Sequence, residues 1–444
     1  MEIGIIGAGI TGIGAAWHLA RKGHRVTLYE KEGGIGGLAR AMLLDGQYVE
    51  RYYHFIMAAD TYLLEFIRAM GVEERLNWVE TETQFFANGR MYRFTSPLDL
   101  LRFGAIGPVD RLRLIGTMLY LTKFAGSWKK MEDRLACRFL PAWGGRRTWD
   151  IVFRPMLDMK FGDLTNEMSM AWMWARSRMV KQYREKGVAR ERRAWVKGSL
   201  KVLLEAAEAW FEGHGVTVKR HQPAERILLE DGRAVGVCDD GGEVRRFDRI
   251  LFCAPSPELR RMLPEAEGPY FDRIHGQQYY GVTCVVMALS EPLSPRFWTY
   301  VSDPRVPFVG AIDYASFTQY EGHTGQNVIY IPHYSLPACA PYTTDDETLV
   351  AAYARALQIV FPRFDASQIR EVRVMRNPNS SIVCAGRYSE RIPGIRTPIP
   401  SLYFANLSQI YPQDRGLSVG LKLAGYAVEA LESDRDVAMD FTPY

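Results

Sequence analysis

Cysteine is scarce in this 444-residue sequence. The six present, Cys137, Cys238, Cys253, Cys284, Cys339 and Cys384, are widely separated and form no C-x-x-C pair. That spacing excludes a zinc ribbon and a disulfide framework and fits a reducing compartment. There are only eight histidines, and His18, His24, His214 and His221 lack the spacing of metal ligands, so no metal is expected. No uncharged apolar run reaches the length of a membrane span; the best stretch, Leu112 to Gly126, is interrupted by Arg113 and Lys123. Repeats and low-complexity linkers are missing as well. A strand pattern that starts at Glu2 leaves no room for a signal peptide, and the expected location is cytoplasmic.

What is there is an ordinary globular composition, 47% hydrophobic and 24% charged, on a chain long enough for two domains. The formal net charge of +4 hides an asymmetry, because residues 101–200 carry about +12 and the remainder is acidic. Arg102, Arg111, Arg113, Lys123, Lys129, Lys130 and Lys181 belong to that basic segment. Aromatic residues are interleaved with it, but no nucleic-acid-binding module is recognisable, so no nucleic acid partner is expected. A small anionic substrate or anionic lipid headgroups suit it better. The apolar and basic residues from Pro97 to Trp128 read first as cap helices with one wet face, and otherwise as the place for peripheral contact with the inner face of a membrane.

The most informative local pattern opens the chain. Glu2-Ile3-Gly4-Ile5-Ile6 runs into Gly7-Ala8-Gly9-Ile10-Thr11-Gly12, and Arg25-Val26-Thr27-Leu28-Tyr29 ends at Glu30. Strand, glycine turn, helix, strand and acid fall in the order of a dinucleotide-binding unit. Gly7 permits the tight turn, Gly9 lets backbone approach a pyrophosphate, and Gly12 lets the helix pack closely on the strand. Glu30 is placed to accept hydrogen bonds from an adenosine ribose. A second glycine-rich loop, Lys31-Glu32-Gly33-Gly34-Ile35-Gly36-Gly37-Leu38-Ala39-Arg40, follows at once. A nicotinamide-binding domain does not need it, whereas a longer cofactor does.

These two loops together resemble the signature of the FAD-dependent amine oxidase, protoporphyrinogen oxidase and phytoene desaturase superfamily. Asn406 and the Glu50-to-Phe55 and Lys160-Phe161-Gly162 segments resemble a branch near UDP-galactopyranose mutase. The resemblance implies non-covalent FAD held by Gly7, Ala8, Gly9, Thr11, Gly12, Glu30, Lys31, Gly36, Gly37, Leu38, Ala39 and Arg40. It also implies that backbone at Ala224, in a set of short strands between Val216 and Pro255, pairs with the adenine edge. A terminal strand, Ser401 to Asn406, and a helix opening at Asp414-Arg415-Gly416-Leu417-Ser418 are similar to the family's closing unit. On that basis Asn406, Asp414, Ser418, Val419 and Leu421 line the ribityl and pyrophosphate region, where a helix N-terminus favours negative charge.

With cofactor elements at the start, middle and end, the expected architecture is a discontinuous α/β protein. A Rossmann-like FAD-binding domain comprises 1–55, 190–265 and 395–444, and an inserted α+β substrate domain, a mixed sheet with a helical cap, comprises 56–189 and 266–394. The first insert reads as mainly helical, over Thr61 to Met70, Pro108 to Phe124, Met131 to Leu140, Trp149 to Met156 and Glu167 to Lys181. The second reads as strands at Val282 to Leu289, Phe308 to Ile312 and Val328 to Ile331, with a helix from Asp345 to Val360.

In such a fold the protein supplies orientation, dryness and electrostatics around the flavin. His54 is a candidate acid/base or substrate-orienting group. Lys160, set among apolar residues, is a candidate for holding an anionic substrate or a water beside the flavin. Arg154, Arg176 and Arg178 are candidates for a carboxylate or phosphate clamp. Tyr314 belongs to a strand-borne set with Tyr279, Tyr280, Tyr300, Tyr330 and Tyr334, some of which alternation points into a cavity. Two activities fit: hydride transfer from a hydrophobic or amphiphilic amine, porphyrinogen or polyprenyl-type substrate, or a redox-neutral reaction on a nucleotide sugar, like that of UDP-galactopyranose mutase. A third reading is non-catalytic: a flavin-carrying, membrane-associated subunit of a glycan or lipid assembly system. Oligomeric state is not legible in the sequence.

Overall fold

The computed structural model describes residues 1–182, 191–318 and 327–443. The expected boundary at 189/190 lies outside the described residues, as does the side chain of Lys181.

The chain is α/β, built on a five-stranded sheet in which every neighbouring pair is parallel. Its strands are Val216–Lys219, Arg25–Tyr29, Glu2–Ile6, Arg249–Phe252 and Leu402–Phe404, in that spatial order. Both faces are covered, so the strands are continuous apolar runs: Ile3, Ile5, Leu28, Ile250, Leu251 and Phe404 are fully buried. Helices Ile10–Arg21 and Leu417–Ser433 pack on each other on one face. Gly14 and Gly420 permit the approach, because a Cβ on Gly14 would crowd Leu421 and Ala424 and one on Gly420 would crowd Ile10. The expectation of a parallel, Rossmann-like sheet assembled from the two ends and the middle of the chain is met.

A second, seven-stranded sheet follows the order Ile369–Ile382, Tyr279–Leu289, Asn327–Ser335, Gly310–Asp313, Trp298–Ser302, Thr83–Ala87 and Arg90–Arg93. All of its pairs are antiparallel except Trp298–Ser302 with Thr83–Ala87. Helix Asp346–Val360 covers one face, with Leu349, Tyr353 and Leu357 buried beneath it. The other face looks toward the parallel sheet and toward helices drawn from residues 97–182.

Several elements depart from the sequence expectation. The helix expected from Met131 to Leu140 is two helices, Trp128–Glu132 and Ala136–Gly144. Leu135 between them is extended and bridges Ser169, and the Ala136 amide donates to the Met168 carbonyl at 2.8 Å. Tertiary backbone pairing has won over local helical periodicity there. The stretch expected as a helix from Trp149 to Met156 is a π-helical turn at Trp149–Phe153 that continues into Arg154–Phe161. The helix expected from Glu167 begins at Met170, after a 3₁₀ turn over Gly162–Glu167. The first insert is also less helical than its periodicity suggests, since Thr83–Ala87 and Arg90–Arg93 join the large sheet. The 14-residue strand Ile369–Ile382 had no sequence signal because its arginines and Pro378 read as loop. As an edge strand it tolerates both a proline and a charged outer row.

Candidate functional site

One cavity of about 510 Å³ runs between the two sheets. At one end it is made of backbone. Gly7 has φ +100°, a left-handed value that a side chain rarely adopts. A Cβ on Gly9 would meet nothing within 4 Å, so the space in front of this residue is open. Gly12 is constrained differently, because a Cβ there would collide with the Gly7 carbonyl oxygen. The second glycine loop is laced to the first: the Gly36 amide donates to the Ala8 carbonyl at 2.7 Å, and Gly9 and Gly36 bridge in parallel.

Two helices start on the cavity wall, at Ile10 beside the glycine turn and at Leu417 two residues after Arg415. Their N-cap residues, Gly9 and Gly416, offer no side-chain cap, so the first-turn N–H groups and the positive ends of both dipoles are left for a ligand. Glu30 is buried on the same wall, its two oxygens accepting from the amides of Ala8 (3.2 Å) and Glu32 (2.9 Å). Burial raises its carboxyl above the usual range, against the pull of the Ala8 amide and of the Arg40 and Lys31 charges.

The opposite end is made of side chains. Lys160, 9% exposed on helix Arg154–Phe161, sets its Nζ 2.6 Å from Asp414 Oδ1. The same Asp414 oxygen accepts from the Arg415 amide at 2.8 Å. Arg415 donates to the Ser380 carbonyl (3.1 Å) and to the Tyr334 hydroxyl, whose oxygen is 3.3 Å from that of Tyr53. Both cations lie over the Tyr334 ring, Lys160 at 5.1 Å and Arg415 at 5.2 Å from its centre. Burial pushes the Tyr53 phenol well up, which keeps it a neutral donor.

His54 lines the cavity beside this cluster. Its Nδ1 lies 2.7 Å from the Tyr52 carbonyl, and because a carbonyl only accepts, Nδ1 carries the proton and Nε2 is left as an acceptor. Burial and the Arg415 charge lower its pKa to about 4, so the ring is neutral at ordinary pH. Met156, Met159, Trp172, Trp298, Tyr300 and Met375 complete an apolar wall.

The sequence-predicted residues divide accordingly. Gly7, Gly9, Thr11, Glu30, Lys31, Gly36, Gly37, Leu38, Ala39, Ala224, Asn406, Asp414 and Val419 line the cavity, with His54, Lys160 and Arg176. The Ala224 carbonyl accepts from Arg261 at 3.2 Å. Asn406 donates to the Ala254 carbonyl (3.0 Å) and Ser256 Oγ (3.2 Å), tying two strand ends together.

Others stand behind the wall. Ala8 and Gly12 shape the turn, Arg40 pairs with Glu32, Ser418 Oγ accepts from the Leu63 amide at 3.4 Å, and Leu421 packs beneath Gly14. Arg154 lies off the cavity, its exposed guanidinium 3.4 Å from Asp158, and Arg178 sits over the Trp174 ring. Of the tyrosines, Tyr279 and Tyr300 line the cavity. Tyr314 is 2% exposed in the core, where its hydroxyl donates to the His54 carbonyl, so it holds the backbone that carries the histidine. Arg415, Tyr53 and Tyr334 were missed as a unit. The available signal was the Asp414-Arg415 pair directly before the glycine that opens the last helix.

No group of three or more His, Cys, Asp or Glu suited to a metal occurs among the described residues. None of their helices is long and apolar enough to cross a membrane.

Comparison with known proteins agrees with this geometry. The chain is 25% identical over 285 residues to the zeta-carotene-forming phytoene desaturase of Myxococcus xanthus, an overlap of 58% of this chain and 54% of that protein. It therefore spans about half the length of the curated relatives it matches. A crystal structure from Exiguobacterium sp. 255-15, provisionally named a protoporphyrinogen oxidase, superposes with a TM-score of 0.77 at 19% identity, covering 98% of this chain and 99% of the other. Reduced UDP-galactopyranose mutase superposes at 0.74 with 16% identity, covering 100% and 97%. At those identities the structural likeness establishes the fold alone. The model of the flavin-containing amine oxidoreductases matches residues 10–412, a span that takes in the second glycine loop, the Lys160 helix and the strand Leu402–Phe404, and the chain belongs to that family.

Proposed function

We propose that this chain is an FAD-dependent oxidoreductase that takes a hydride from a hydrophobic or amphiphilic substrate of the amine, porphyrinogen or polyprenyl class. The observation that carries the reading is a single cavity with a backbone-built, anion-accepting end and an apolar end holding one ion pair. The open space before Gly9 and the two uncapped helix starts suit a pyrophosphate. Glu30 suits the ribose beyond it. When bound, FAD supplies a two-electron acceptor at its ring.

The chain's own residues do the rest. The first-turn amides at Ile10 and Leu417 hold the cofactor's phosphates, and the methionine and aromatic wall seats the apolar part of the substrate and excludes water. His54 Nε2 accepts a hydrogen bond from a substrate N–H or O–H. Lys160, held by Asp414, carries a proton at Nζ against the polar end of the substrate. The seven-stranded sheet and the helices of 97–182 act as the substrate domain. We take the cofactor to be non-covalent: burial raises the thiol of Cys253 on the cavity wall far from its reactive thiolate form.

A second reading, a redox-neutral reaction on a nucleotide sugar, is favoured by the cations on the cavity wall, Arg176 and Arg415 among them, which suit a diphosphate. One experiment separates the two. The visible flavin spectrum is followed anaerobically while amines, porphyrinogens, carotenoid precursors and nucleotide sugars are added, with a parallel series on chemically reduced protein. Bleaching by one compound is expected. Conversion of a nucleotide sugar by the reduced protein alone, with no bleaching elsewhere, would replace the oxidoreductase reading. With the bleaching substrate in hand, His54→Ala is expected to keep its flavin and lose about 10²-fold in turnover.

A further inference from the structure

Seven of the twelve exposed large hydrophobic side chains among the described residues fall between Leu98 and Trp143. Helix Pro108–Leu119 is apolar on two faces. Leu114 and Thr117 are buried inward, while Val109 (64% exposed), Leu112 (65%) and Leu119 (46%), with exposed Gly116 among them, form an outward stripe at helical spacing. An ordinary surface helix would be polar there. Phe124, 69% exposed, extends the stripe from the π-helical turn Tyr120–Phe124, and Leu98 and Leu101 add to it from the adjoining helix Pro97–Leu101.

The rim of this stripe has one sign of charge. Residues 97–147 contain ten Lys and Arg against four Asp and Glu, and the acids are engaged. Asp99 caps its own helix, Asp110 lies 3.8 Å from Arg113, Glu132 is buried against Ser389, and Asp133 pairs with Arg387 at 2.7 Å. Arg102, Arg113 and Lys123 are exposed beside the apolar side chains.

We propose that this face docks on the interface of an anionic lipid bilayer. Leu112, Leu119 and Phe124 enter the boundary between headgroups and acyl chains, and Arg102, Arg113 and Lys123 sit at the level of the phosphates. Protruding apolar side chains ringed by cations match that boundary in both polarity and charge. The face is also coupled to the cavity, since Arg178 on the cavity-lining helix Met170–Gln182 donates to the Gly126 carbonyl at 3.4 Å. The docking stands whichever reaction the cavity performs.

The test is co-sedimentation of the flavin-loaded full chain with vesicles of phosphatidylcholine, with and without phosphatidylglycerol, at low and high salt. Binding is expected to the anionic vesicles, to fall by roughly tenfold or more in the double variant Leu112→Asp, Phe124→Asp, and to weaken with salt. Arg102→Glu with Lys123→Glu should remove the preference for phosphatidylglycerol. Flavin content per chain confirms that each variant is folded. Failure of the parent chain to pellet with anionic vesicles would overturn the proposal, as would pelleting that is unchanged in the Leu112/Phe124 variant. So would a concentration-dependent oligomer without lipid that the same variant abolishes, because the stripe would then be a contact between copies of this chain.

Discussion

The two ends of the cavity are built on different principles. The glycine end is made of main-chain atoms: a φ of +100° at Gly7, open space before Gly9 and a helix start at Ile10 without a side-chain cap. The other end is made of side chains that come from residues 53, 54, 160, 334, 414 and 415 and meet only in the folded molecule. A backbone site tolerates almost no Cβ but is indifferent to most neighbours. A side-chain site tolerates conservative exchange at any one position but depends on every partner in its network.

The sharpest break in that contrast is between two glycines three residues apart. Gly12→Val should cost about 3 kcal/mol or more of stability, because the new side chain drives into the Gly7 carbonyl. Gly9→Val should cost less than about 1 kcal/mol, since nothing stands within 4 Å, yet leave the protein without flavin. Chemical denaturation together with flavin absorbance per chain separates the two, and a Gly9→Val protein that purifies with full flavin would refute the assigned cradle.

At the side-chain end, Lys160→Met should retain flavin and lose roughly 10²-fold in turnover. Because Asp414 is then left without its cation, Asp414→Asn in the same chain should cost less than it does alone, a coupling of about 1–3 kcal/mol. Strictly additive effects would mean that the pair does not act as a unit.

The smallest effect tests the layer behind the wall. Glu50 is fully buried, accepting from Trp195 Nε1 (3.1 Å) and the Leu200 amide (3.0 Å), and burial raises its pKa from 4.5 to about 7. The folded chain therefore holds this proton to higher pH than the unfolded chain does. The stability it contributes is complete below pH 4.5 and is lost, by up to about 3 kcal/mol, as pH rises to 7. Glu50→Gln should flatten that part of the stability curve, measured by urea unfolding across pH; an unchanged slope would assign it to other groups.

The parallel sheet was legible because its strands are short apolar runs separated by helices, and the cradle because glycine spacing reports backbone geometry directly. Helix Asp346–Val360 was likewise readable from Asp345 as its cap and from the spacing of Leu349, Tyr353 and Leu357. The edge strand Ile369–Ile382 was not, since one row of its side chains faces solvent and carries charge. Nor was the break at Leu135, where a bridge to Ser169 overrides helical spacing. Arg154 carried as much sequence signal as Arg176, but only the fold turns one toward Asp158 and the other onto the cavity wall.

The sequence by itself determined the parallel α/β unit at the start of the chain and its glycine turns, because those properties are local: a few φ angles, a helix start and the acid at the end of the second strand. Tertiary structure alone decided the opposite end of the cavity. An ammonium on one helix, a carboxylate and guanidinium before another, and a phenol on a strand of the second sheet acquire their joint chemistry only when packing brings groups some 250 residues apart to 2.6 Å, and no local pattern encodes that distance.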